Sequence, residues 1–185
     1  MNRAGQLVLL ILGLQLMTTS VRGQEVDVYS WPVREERSRS YDVLHYRIEL
    51  SFEEDTRSFS GETTISLASL KDGLTSCDLD AETFVVEKVV DDVSRRLEFE
   101  QSPGRLSVVL LEPLDYRETT SFTVSYSATG VDVDAEKYGL SAEYDLGLDF
   151  KAKTSDNPQL INTLSWPEGA RHWFPCYDHP NDRAT

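Results

Sequence analysis

The sequence predicts an all-β fold, a sandwich or a strongly twisted pair of sheets. Three observations point there. Apolar residues recur with period two in several stretches, turn-forming clusters separate those stretches at short intervals, and no segment carries the 3.6-residue apolar period of an amphipathic helix. With 185 residues, 39% of them hydrophobic and 10% aromatic, the chain has enough apolar material for one ordinary core.

The elements follow in order. Residues 24–40 are polar and without period, an extended lead-in with Trp31-Pro32 as its anchor. From Tyr41 the pattern changes. Tyr46, Ile48, Leu50 and Phe52 alternate with Arg47, Glu49 and Ser51, so one strand face is buried and the other wet. After the polar turn Glu53–Arg57, Phe59, Gly61, Thr63, Ile65 and Leu67 alternate with polar residues, which completes a hairpin. Leu74–Leu79 and Phe84–Val90 are β-rich runs around Asp80-Ala81-Glu82. Leu97 and Phe99 alternate before the turn Ser102-Pro103-Gly104. Leu106–Leu111 is apolar apart from Ser107 and reads as a strand buried on both faces. Phe122, Val124 and Tyr126 alternate again, for about seven to nine strands in all. Val131–Pro158 is an acidic excursion with one or two short strands, and Leu160–Ser165 a last strand. That strand leads into Trp166–Thr185, whose prolines, tryptophans, histidines and aspartates fit neither period and indicate an ordered loop.

The first 23 residues have the layout of a secretory signal: Arg3, the apolar run Leu7–Met17, then small residues with cleavage after Gly23 or Ser20. The run is too short to span a bilayer. The expectation is an exported protein, periplasmic or secreted, with no membrane association beyond the signal peptide. The net charge of −14 argues against binding nucleic acid, which requires clustered Lys and Arg. Export permits a disulfide between Cys77 and Cys176, but their apolar surroundings favour two free buried thiols.

Four constellations could carry chemistry. His172, Cys176, Asp178 and His179 all bear metal-ligating atoms, but their spacing matches no dependable zinc pattern, and hydrogen bonding within a packed loop explains them better. Cys176 with His172 or His179 has the composition of a nucleophile pair, whereas a Cys between Pro175 and Tyr177 reads as inert. Glu53-Glu54-Asp55, Asp91-Asp92 and Asp132 with Asp134 lie in turns, where carboxylates are ordinarily solvated. A calcium site at Asp132-x-Asp134-x-Glu136 lacks a calcium-loop glycine. Arg171 and Asp178 fit best as a buried, hydrogen-bonded pair that fixes the loop.

Four segments in order resemble the zinc aminopeptidases of the aminopeptidase N type (gluzincins): Tyr41–Tyr46, Phe59-x-Gly61-x-Thr63, Leu79-Asp80-Ala81, and Gly147-Leu148-x-Phe150 with Ala170–Pro180. The last, containing Arg171 and Phe174-Pro175-Cys176-Tyr177-Asp178, is the most specific. The resemblance implies a saddle-like N-terminal β domain over residues 41–185 that caps a thermolysin-like zinc domain. In that family a glutamine and a glutamate precede the Ala-Arg pair, and the glutamate holds the substrate's α-amino group. Those positions fall on Leu164 and Trp166 here, with Glu168 two residues on as the candidate replacement. Trp166 and Glu168 are therefore the candidate substrate-binding residues. The G-x-M-E-N and H-E-x-x-H signatures are absent from these residues. The resemblance thus implies no catalytic residue, metal ligand or cofactor in this chain, with zinc and the contact to a peptide substrate in a missing catalytic domain. The alternative is a stand-alone secreted β-sandwich module for binding or adhesion.

Overall fold

A computed structural model describes residues 39–130, 133–139, 141, 146–166, 168–179 and 183–185. The signal peptide, most of the lead-in with Trp31, and Asp132 of the calcium candidate lie outside the described residues. Among the described residues the strands are β1 (Tyr41–Glu53), β2 (Ser58–Ser69), β3 (Leu74–Asp80), β4 (Val85–Asp91), β5 (Phe99–Ser102), β6 (Arg105–Leu114), β7 (Thr119–Thr129), β8 (Gly147–Lys151) and β9 (Leu160–Leu164). They form a four-stranded sheet in the order β1-β2-β7-β4, a three-stranded sheet in the order β3-β6-β5 and the hairpin β8-β9. All pairings are antiparallel.

Period-two patterning decides which faces meet. In β2, Phe59, Gly61, Thr63, Ile65 and Leu67 are buried while their neighbours are wetter. In β7, Phe122, Val124, Tyr126 and Ala128 do the same. These residues share one apolar core with Leu74, Cys77 and Leu79 of β3, Leu106 and Val108 of β6, and Leu148 and Phe150 of β8. Each fully buried Leu or Ile stabilises the fold by roughly 1.5–3 kcal/mol, so the inner faces hold the two larger sheets together.

Two features depart from the simple pattern. Tyr41 and Val43 are buried at odd positions of β1, but Tyr46, Ile48 and Leu50 point inward at even ones. The pairing shifts between Val43 and His45, which leaves Leu44 as the extra residue of a β-bulge and switches the parity of the strand. In β6, the expectation of two buried faces is wrong. Leu106 and Val108 are buried, whereas Val109 and Leu111 are each 44% exposed. One face of the three-stranded sheet has no covering layer among the described residues, and a largely apolar run does not by itself distinguish one-sided from two-sided burial. Phe52, read as inward, is likewise exposed at the end of β1, with its ring edge against Phe150.

Gly61 is required by packing. A Cβ there would lie 2.5 Å from Tyr126 Cζ and 2.8 Å from Leu50 Cδ2. Tyr126 is fixed in turn by the 2.9 Å hydrogen bond between its hydroxyl and Thr63 Oγ1. Gly61→Ala forces the ring aside and strains that bond. The expected cost is about 1–3 kcal/mol, measured as a lower urea midpoint with an unchanged slope for the 185-residue chain.

Candidate functional site

The loop after β9 is built by contacts that reach back across the whole chain. Gly169 N–H bonds the Ser165 carbonyl at 2.8 Å, and a Cβ at Gly169 would stand 2.0 Å from the Leu164 carbonyl oxygen. Only glycine permits this tight fold-back. Trp173 Nε1 donates to Ser165 Oγ at 3.2 Å and closes the loop's base. A short 3-10 turn, Ala170–His172, follows. The Trp173 ring lies 4.4 Å from that of Phe174, which meets Tyr46 edge-on at 5.4 Å.

Beyond the turn, the chain pairs with the end of β3. Asp80 N–H donates to the Cys176 carbonyl at 2.6 Å, and Cys176 N–H returns the bond at 3.1 Å. The Tyr46 hydroxyl accepts Tyr177 N–H at 2.9 Å. The Asp80 carboxylate accepts Asp178 N–H at 2.9 Å and faces Arg171 at 3.9 Å. Arg171 donates from Nε to Asp178 Oδ2 at 3.1 Å and from Nη2 to the Asp178 carbonyl at 3.3 Å. Its Nη2 also pairs with Glu168 at 3.4 Å. Burial opposes the charge on Arg171, but Asp80 and Asp178 outweigh it and hold the guanidinium firmly protonated. Burial raises the Asp178 carboxyl above its ordinary range despite Arg171.

The Arg171–Asp178 pair read from the sequence is thus present. Glu168 joins the same cluster with its carboxylate partly accessible, while Trp166 stands 70% exposed on the loop. Trp166 carries no acidic group, so of the two candidate residues only Glu168 offers a carboxylate. Asp80 is the member that sequence reading did not assign a role. Its signal was an acid flanked by Leu79 and Ala81, since a carboxylate among apolar neighbours requires a partner.

The possible metal ligands go to separate partners. His172 is buried under Tyr138, ring edge to face at 5.4 Å. Cys176 pairs with Asp80, Asp178 with Arg171, and the His179 ring lies 6.2 Å from that of Tyr177. Among the described residues no group of three or more His, Cys, Asp or Glu is placed to hold a metal ion. These donors do not fit a zinc site, and no chemical step is routed through one here. Cys77 and Cys176 are both buried and form no disulfide, with burial and then Asp78 pushing the Cys77 thiol up to about 12. Asp91 caps its own turn by accepting Arg95 N–H at 2.7 Å and Val93 N–H at 3.1 Å. Asp134 accepts Glu136 N–H at 3.1 Å to open the 3-10 turn Ala135–Tyr138.

A two-sheet β domain with a closing loop tied back to its third strand defines a class, and comparison supplies the family. The Peptidase M1 N-terminal domain matches residues 42–185, and the chain belongs to that family. The M1 zinc metallopeptidase from Deinococcus radiodurans is 28% identical with a TM-score of 0.66, over 80% of this chain and 31% of that one. A substituted form of that enzyme bound to a Tyr-Ser-Ala substrate gives the same values. A substituted two-domain M1 zinc metallopeptidase bound to L-arginine is 27% identical with a TM-score of 0.65, over 80% and 32%. The chain therefore spans about a third of the length of these solved structures. No curated protein matches it. No helix among the described residues is long and apolar enough to cross a membrane.

His172 gives this site a pH dependence. Neither ring nitrogen has a hydrogen-bond partner among the described residues, and burial, only partly offset by Glu82, lowers its pKa from the ordinary 6.5 to about 4. The folded state thus favours the neutral ring. The stability this provides is complete above pH 6.5 and falls as the pH drops towards 4, where the unfolded chain binds the proton first. The loss over that window is about 3 kcal/mol. Urea unfolding of the parent chain and of His172→Phe between these pH values should show the parent losing more stability by about that amount.

Proposed function

We propose that this chain is the N-terminal β domain of an exported zinc aminopeptidase and forms one wall of its substrate cleft. The observation that carries this reading is the construction of the closing loop. Asp80, Asp178 and Arg171 fix it from below, and the Glu168 carboxylate and the exposed Trp166 ring stand on it. A carboxylate held on a rigid base suits the α-ammonium group of a peptide. The relatives support the same direction, since one of them is an M1 zinc metallopeptidase bound to a tripeptide substrate. Hydrolysis requires a metal to polarise the carbonyl or activate water. That chemistry is assigned to a downstream domain, so the 185-residue chain alone is inactive in this reading. Its own residues position the substrate's amino end.

Joined to its downstream region, the chain should release amino-terminal residues from small aminoacyl substrates, and chelators should stop it. Within that longer chain, Glu168→Ala should raise KM about tenfold, since hydrogen bonds to a charged group contribute roughly 1.5–3 kcal/mol. An unchanged KM removes Glu168 from the site, and chelator-resistant hydrolysis by residues 24–185 alone overturns the wider proposal. Export rests on the basic, apolar and small-residue order of the first 23 residues. Amino-terminal sequencing of material from outside the cytoplasm should begin near Gln24, and a mature protein that still starts at Met1 would count against cleavage.

A further inference from the structure

We infer that Glu82 is a positioning residue, a latch that holds the 3-10 turn Ala135–Tyr138 over His172 and thereby fixes the loop that carries Trp166 and Glu168. Its bearing on substrate rests on the reading that this loop meets a peptide; the latch itself does not.

Glu82 follows the Asp80 corner and grips in two directions. Towards the loop, its N–H donates to the Arg171 carbonyl at 3.0 Å, and Thr83 donates from Oγ1 to the His172 carbonyl at 2.6 Å. The turn Ala170–His172 is too short to satisfy these carbonyls itself. Two consecutive residues of the corner therefore take up two consecutive carbonyls of the turn. Towards the acidic excursion, the Glu82 carboxylate accepts the Tyr138 hydroxyl at 2.7 Å and Lys137 Nζ at 2.8 Å. Among the described residues, the hydrogen bonds from the turn Ala135–Tyr138 to the rest of the domain all end on Glu82. Lys137 is largely exposed, so its ion pair contributes little. The charge-assisted bond from Tyr138 is part-buried and is the stronger tie.

The turn covers His172. The Tyr138 ring meets His172 edge-on at 5.4 Å. On another side lies the backbone of Gly147, where a Cβ would stand 2.7 Å from His172 Cβ. The ring is 1% exposed and its nitrogens have no hydrogen-bond partner among the described residues, so packing holds it. A ring held in that way keeps its place only while its cover stays on. His172 sits between two anchors of the loop: Arg171, which bonds Asp178 and pairs with Glu168, and Trp173, which bonds Ser165. Releasing Tyr138 admits water to the ring and loosens the turn on which both anchors depend. The charged and titratable groups that face His172 are Glu82, Lys137, Tyr138 and Arg171.

NMR of the 185-residue chain tests the latch, read from the titration of the His172 ring and from the indole N–H signals of Trp166 and Trp173. Two effects have opposite signs. Loss of the Glu82 charge alone lowers the His172 pKa below about 4, since that charge partly offsets burial, whereas uncovering the ring raises it towards 6.5. Glu82→Gln keeps an acceptor for the Tyr138 hydroxyl, so the pKa should fall and the indole signals should stay in place. Glu82→Ala should release the turn, raise the pKa and move the Trp173 signal. Tyr138→Phe breaks the same tie without removing a charge and should also move that signal, which keeps the test open should Glu82→Ala not fold. A pKa that falls in Glu82→Ala as it does in Glu82→Gln reduces Glu82 to an electrostatic neighbour and overturns the latch. Indole signals unmoved in both Glu82→Ala and Tyr138→Phe overturn the positioning. Failure of the functional reading is distinct: an unchanged KM in Glu168→Ala removes the loop from substrate recognition and leaves these signals as they are.

Discussion

The closing segment depends on Asp80. Its backbone exchanges both hydrogen bonds with Cys176, and its carboxylate accepts Asp178 N–H while facing Arg171. A carboxylate this deeply buried would be costly alone, and the neighbouring guanidinium makes it tolerable. Arg171 in turn holds its position through Asp178 and Glu168. The corner after β3 and the loop that follows β9 therefore specify one another, and the segment also covers the part of the β3 edge it reaches.

The hairpin of β1 and β2 was legible because its signals are local: two alternating runs and a polar turn between them. The Arg171–Asp178 pair was legible for the same reason, being seven residues apart. Asp80 was not, because its role appears only when a residue 98 positions away is brought beside it. The bulge at Leu44 also escaped detection, since a parity switch within one strand erases the regular alternation on which reading depends. In β6, hydrophobicity indicated a strand but not how many layers cover it. His172 was considered as a ligand on composition, and its burial beneath Tyr138 depends on an excursion that has little period of its own.

The site divides its work between support and display. Arg171, Asp178, Asp80 and the Tyr46 hydroxyl are spent on holding backbone. Trp166 and, in part, Glu168 remain accessible to another molecule or domain. Trp166 is displayed without a part in that support, whereas Glu168 is both displayed and tied to Arg171, which fixes its position. This division of work also accounts for the ionisable residues that crowd this stretch, which among the described residues bond to one another and to backbone.

The ties across the chain have a consequence for its birth on the ribosome. Tyr46 meets Tyr177 over 131 residues, and His45 meets Thr185 over 140. Contacts of such separation carry a large loop-closure cost and make folding slow compared with locally connected proteins. The β1–β2 hairpin can form as soon as it emerges, but the Asp80 corner must wait until Arg171 and Asp178 have been synthesised. Until then the Asp80 carboxylate remains in water and the end of β3 lacks the partner it finds at Cys176. The segment from Ala170 to Asp178, which follows all of these hairpins in the chain, is therefore the one that ties the end of β3 to the loop after β9.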